Sequence, residues 1–165
     1  MLYHLADNDP EFVGGLMGQL KTEGRYTIPS RLLAKLQQDF YGGTCDDAGA
    51  AATIAGLFRE KHYLCDTHTA VAVNVYEQYV RETGDRTPCV IASTASPYKF
   101  ARAVLSAVAP GEASGDEFAM VAKLSEVTGT PIPAPLADLK NRIVLHSSCV
   151  RQSEMAGFIR AFLDR

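Results

Sequence analysis

Residues Cys89–Val104, CVIASTASPYKFARAV, decide how the chain is read. Cys89 to Ala92 is a brief β-branched run with the composition of a strand. Small hydroxyl residues follow at once: Ser93, Thr94 and Ser96. Ser96 before Pro97 has the order of a helix N-cap and its first helical residue. Ala101, Val104, Leu105 and Val108 then recur with helical spacing. In open α/β sheets, ligands sit outside the carboxyl ends of the strands, where a strand turns into a helix. STASP falls at such a place.

Working back from this turn, HYLCDTHTAVAVNVYEQYV (62–80) predicts a short extended link, Tyr63 to Cys65, and a helix capped by Asp66 or Thr67 that runs to about Arg81. That helix is apolar on nearly every side, which predicts burial. Its polar start, Asp66, Thr67, His68 and Thr69, then points free backbone N–H groups inward. Residues 1–62 read as a helical segment. Leu2 to Ala6 resembles a helix tail, and Asp9–Pro10 caps a helix that Gly24 ends. A further helix covers Pro29 to about Asp39. Asp46 or Asp47 caps the next, which carries Ile54, Leu57 and Phe58.

Forward of the turn, Ser114 and Glu117 have capping-box spacing before Phe118, Val121 and Leu124. TGTPIPAPL (128–136) is a proline-rich bridge. Asn141 to Val150 contains a second strand, and Ser153 opens a last helix through Met155, Phe158, Ile159 and Phe162. Six or seven helices and two strands give a helix-rich α/β class. Parallel strands need burial on both faces, and two make no stable sheet. The few strands are therefore expected to complete a larger sheet whose other strands lie elsewhere.

Composition narrows the function. The 165 residues carry a net charge of −3, with Lys and Arg scattered rather than clustered, so no nucleic-acid partner is expected. No apolar run approaches the roughly 18 residues of a membrane span, so no membrane partner is expected. MLYHLADNDP lacks the charged and apolar regions of a signal peptide. Cys45, Cys65, Cys89 and Cys149 form no C-x-x-C pair, so no metal site is expected. Four isolated thiols without an export signal fit a reducing, cytoplasmic setting.

Two helix starts remain as chemistry, DTHT and STASP. Such ends present unpaired N–H groups and partial positive charge. A hydroxyl there can also donate to a neutral ring nitrogen without forcing it to protonate. The same Ser and Thr residues serve equally as caps and turn formers.

YLCDTHTAVAV (63–73), followed about twenty residues later by VIASTASPYKF (90–100), resembles the C-terminal part of threonine synthase in its longer microbial form. The opening, LYHLADNDPEFVGGLMGQLKTEGRYTIP, and the ending, VLHSSCVRQSEMAGFIRAFL, resemble it too. The resemblance implies the C-terminal portion of a fold-type II pyridoxal-phosphate enzyme, of the tryptophan-synthase-like fold. Residues 63–165 would be the C-terminal part of its cofactor-binding α/β domain. The implied reaction, a carbon–oxygen lyase chemistry in threonine biosynthesis, turns O-phospho-L-homoserine and water into L-threonine and phosphate. It also implies that Thr94, with Ser93 the next choice, donates to the cofactor's pyridine nitrogen. Asp66 and His68 would lie close to the site. Many relatives have histidine where Ser96 stands, so no direct contact is assigned to Ser96.

One departure is large. The Schiff-base lysine of the family lies in a motif resembling HGPTxxFKD, and nothing like it occurs here. Lys21, Lys35, Lys61, Lys99, Lys123 and Lys140 all stand in other contexts. The glycine-rich phosphate loop is absent as well. No catalytic residue is therefore assigned to this chain, and the N-terminal lysine-bearing portion is expected to be missing, leaving the chain inactive alone. Two other roles fit the same residues. One is half of a split enzyme completed by a second chain. The other is a non-catalytic module that binds a phosphorylated amino acid.

Overall fold

The computed structural model describes residues 1–164. Nine α-helices run in order among the described residues: α1 (Leu2–Leu5), α2 (Pro10–Glu23), α3 (Ser30–Asp39), α4 (Asp47–Lys61), α5 (Thr67–Thr83), α6 (Ala101–Val108), α7 (Glu117–Thr128), α8 (Ala134–Ala137) and α9 (Met155–Leu163). A 3₁₀ turn, Pro97–Phe100, leads into α6. Two more, Leu139–Asn141 and Gln152–Glu154, precede α9.

Aspartates set the starts of the four longest helices, because a short carboxylate accepts from the free N–H groups of the first turn. Asp9 Oδ1 accepts from Glu11 N at 2.9 Å and Phe12 N at 3.0 Å. Asp46, rather than Asp47, caps α4 by accepting from Gly49 N at 2.7 Å. Asp66, rather than Thr67, caps α5. For α7 the expected Ser114–Glu117 box does not form. Gly115 turns the chain through φ +88, and Asp116 accepts from Ala119 N at 2.8 Å instead. Gly84 ends α5 at φ +72, a conformation that costs a β-carbon dearly.

The core lies where α4, α6 and α7 meet. Ile54, Val104, Leu105, Met120 and Leu124 are at most 1% exposed there. α4 packs on both α5 and α6, and α6 packs on α7. Cys65 and Ala70 close the α5 side of this core. Tyr98 is also buried, and its hydroxyl donates to Thr130 O at 2.6 Å, tying the 3₁₀ turn to the loop after α7. α1, α2 and α3 stand apart from this core, with Leu16 their one buried side chain. Lys35 Nζ, donating to Leu5 O at 3.3 Å and to Asp7 at 3.2 Å, fastens α3 to the turn after α1. Solvent-exposed ion pairs of this kind contribute about 0–1 kcal/mol.

Two further expectations are corrected. No strand forms among the described residues, neither at Cys89 to Ala92 nor within Asn141 to Val150. A strand exists only against a partner that takes up its backbone groups, and these runs have none beside them. Their apolar side chains stand in solvent: Val90 is 95% exposed, and Ile143, Val144 and Leu145 are 79–84% exposed. Nor is α5 a buried helix. Thr69 and Ala70 alone are buried on it, and Val71 is exposed. α4 covers one side of it and the 41–44 segment touches its second half, through Tyr41 to Glu82 and Gln78 to Thr44, so its remaining apolar residues are half-buried or exposed.

Candidate functional site

Asp66 organises the start of α5 and is fully buried. Its Oδ1 accepts from His68 N at 2.9 Å and Thr69 N at 3.3 Å. Its Oδ2 accepts a hydrogen bond from the Thr69 hydroxyl. His68 Nδ1 lies 3.3 Å from Oδ1. Burial alone would push this carboxyl up. The Thr69 hydroxyl, the His68 and Thr69 N–H groups and the His68 ring outweigh burial and hold it below its ordinary value of 3.8. Asp66 is thus an anion stabilised by converging donors.

That network reaches the STASP turn. Thr69 Oγ1 lies 3.1 Å from Ser93 Oγ, across 24 residues of sequence. Tyr63 donates its hydroxyl to Ser93 Oγ at 3.4 Å. Ser93 and Thr94 line one groove of about 410 Å³, together with Ser96, Lys99, Pro133 and Leu136. Ser96 also caps the 3₁₀ turn by accepting from Tyr98 N at 3.3 Å. No carboxylate lines this groove.

His68 points elsewhere. It lines a second cavity of about 600 Å³, between the starts of α4 and α5, with Asp47, Thr67 and Val71. Its ring leans on Phe100 at a centroid distance of 4.9 Å. The four expected site residues therefore fall into two groups. Asp66 and Ser93 share one hydrogen-bonded network through Thr69, and Thr94 adjoins it on the groove. His68 belongs to the network by its bond to Asp66 and faces a different cavity. Cys65 lies beside Asp66, but burial, then the Asp66 charge, pushes its thiol up to about 11. It stays protonated and packs as a small apolar residue.

Two residues of the network, Thr69 and Tyr63, are not among the expected site residues. Thr69 had a signal: it stands three residues after a capping aspartate, where a side chain can return to the cap. Tyr63 had none, since its partner Ser93 is 30 residues away. Among the described residues no group of His, Cys, Asp and Glu could hold a metal ion, and no helix is long and apolar enough to cross a membrane.

Known proteins resemble this chain over much of its length. The family described as "Threonine synthase, C-terminal" matches residues 69–143. A threonine synthase from Saccharomyces cerevisiae is 31% identical over 114 residues, which are 64% of this chain and 22% of that protein. The human protein "Threonine synthase-like 1" is 33% identical over 107 residues, 65% of this chain and 14% of its own length. A crystal structure of PLP-bound threonine synthase from Brucella melitensis superposes with a TM-score of 0.63 at 31% identity, covering 86% of this chain and 26% of that one. The chain thus spans about a seventh to a quarter of the proteins it matches.

Proposed function

We propose that this chain, which is related to the C-terminal part of threonine synthases, forms one side of a pyridoxal-phosphate site in a protein that makes L-threonine and phosphate from O-phospho-L-homoserine and water. The groove beside the STASP turn carries the proposal. It offers hydroxyl donors from Ser93 and Thr94 and no carboxylate. A neutral pyridine nitrogen is matched by an O–H donor, whereas a carboxylate there would draw a proton onto it. The residues present therefore fit the ring-nitrogen edge of the cofactor.

The bound cofactor would supply an electron sink for carbanion chemistry on the amino-acid substrate. This chain's own part would be to bind and orient. Thr94 or Ser93 would donate to the ring nitrogen. Asp66 would hold the start of α5 against that turn, and the His68 ring would stand on the neighbouring cavity. The chain has no lysine in the family's motif, so covalent attachment would fall to a lysine-bearing portion or to a complementing chain. The two β-branched runs, 89–92 and 141–150, would then become strands by adding to the sheet of that portion. Their exposed apolar side chains support this.

Absorption spectroscopy tests the division of labour. Pyridoxal phosphate added to the chain alone should keep the spectrum of the free cofactor. A shifted band that survives gel filtration would show a covalent anchor within these residues and overturn the reading. Lys99, which lines the groove, is the residue to check, and Lys99→Ala should leave the spectrum of the mixture unchanged.

A further inference from the structure

The hydroxyl network distinguishes Ser93 from Thr94, and proton counting shows how. Thr69 is 3% exposed, and its hydroxyl has two oxygen neighbours, Asp66 Oδ2 and Ser93 Oγ. It carries one proton. An ionised carboxylate only accepts, and charge-assisted bonds are the stronger ones, so that proton belongs to Asp66. Thr69 Oγ1 is also placed as a donor toward Ser93 Oγ at 3.1 Å, but its one proton is committed to the Asp66 carboxylate, so the proton between the two hydroxyls is that of Ser93. Tyr63 in turn donates to Ser93. All protons point the same way, from Tyr63 through Ser93 and Thr69 to Asp66.

We propose that Asp66 and Thr69 are positioning residues: by drawing the Ser93 proton inward they pin the 93–94 turn to the start of α5 and leave Thr94 as the hydroxyl that donates to a ring nitrogen in the groove. Ser93 is thereby a strut and not a ligand donor. A merely local role for Thr69, as part of the α5 cap, would account for its bond to Asp66. It would not account for the contact to a residue 24 positions away. The assignment of Thr94 rests on the pyridoxal-phosphate reading. The strut does not.

Two measurements separate these. The first is a double-mutant cycle of Thr69→Val and Ser93→Ala on the unfolding equilibrium of the 165-residue chain. The strut predicts coupling of about fivefold in the unfolding constant, the size of one net hydrogen bond. Strictly additive effects would overturn it. The second uses ¹⁵N-labelled pyridoxal phosphate and the chain assembled with its lysine-bearing portion. Thr94→Ala should move the ring-nitrogen resonance, marking loss of its donor. Ser93→Ala should leave that resonance in place and weaken cofactor binding about fivefold through the loosened turn. A shift in Ser93→Ala and none in Thr94→Ala would overturn the proposal. Both substitutions are at exposed positions, so this arm stays decisive even where Thr69→Val unfolds the chain. An unsubstituted assembly that binds no labelled cofactor would refute the functional reading, and the strut would then stand or fall on the mutant cycle alone.

Discussion

Asp66 is the residue on which stability and site both turn. It is a helix cap, a fully buried anion and the inner end of the hydroxyl network. Asp66→Ala strands several donors in the interior, and the lost cap and the lost charged hydrogen bonds together should cost about 2–4 kcal/mol. Chemical denaturation at neutral pH measures this. The pH dependence has a defined sign. The folded-state value of Asp66 is lowered, so its contribution is complete above the ordinary 3.8 and is lost as pH falls through the folded value. Asp85 adds to the same slope. The Tyr79 hydroxyl, then the Thr87 side chain and N–H, hold it down to about 2. Stability should therefore fall steadily as the medium is acidified below pH 3.8, and less steeply in Asp66→Asn. An unchanged slope in that variant would assign the acid loss to Asp85 and other groups.

At the scale of elements, most helices were legible in the sequence because their signals are local. Asp9–Pro10, Asp46, Asp66 and Ser96–Pro97 start their elements where the residues place them. The Ser114 box failed because an aspartate two residues later is the stronger acceptor. The strands failed for a different reason. β-Propensity measures fit to a half-buried, paired surface, and Val90 and Ile143 to Leu145 have no such surface here. Burial of α5 failed likewise, since an apolar helix is buried only by what packs on it. Of the hydrogen-bonded network, Asp66 and Ser93 stand in the two polar helix starts that the sequence singles out, whereas the Thr69–Ser93 contact is tertiary and leaves no trace in spacing. α2 offers a clean test of local propensity. A β-carbon at Gly15 meets nothing within 4 Å, so Gly15→Ala should stabilise the chain by about 0.5–1 kcal/mol in a denaturant titration.

For the molecule as a whole, the core is small and the exposed apolar surface large. α9 carries Met155, Phe158, Ile159, Phe162 and Leu163 all at least 43% exposed, and the unpaired run at Ile143 to Leu145 is 79–84% exposed. Contiguous apolar patches beyond a few hundred Å² mark interaction surfaces. The isolated chain should therefore self-associate, seen as a weight-average mass that rises with concentration in sedimentation equilibrium. Val144→Lys should lower that mass by placing a charge in an unpaired, apolar stretch. A monodisperse monomer at every concentration would show that this surface needs no partner.

The division of labour between this chain and a lysine-bearing portion is tested most directly by phosphate release. The chain is mixed with O-phospho-L-homoserine and pyridoxal phosphate, with and without the lysine-bearing portion, and phosphate and L-threonine are followed together. Neither product is expected from the chain alone and both are expected from the assembly, with Thr94→Ala in this chain lowering the rate. Turnover by the chain alone would contradict that division of labour, as would an assembly that binds the cofactor and releases nothing.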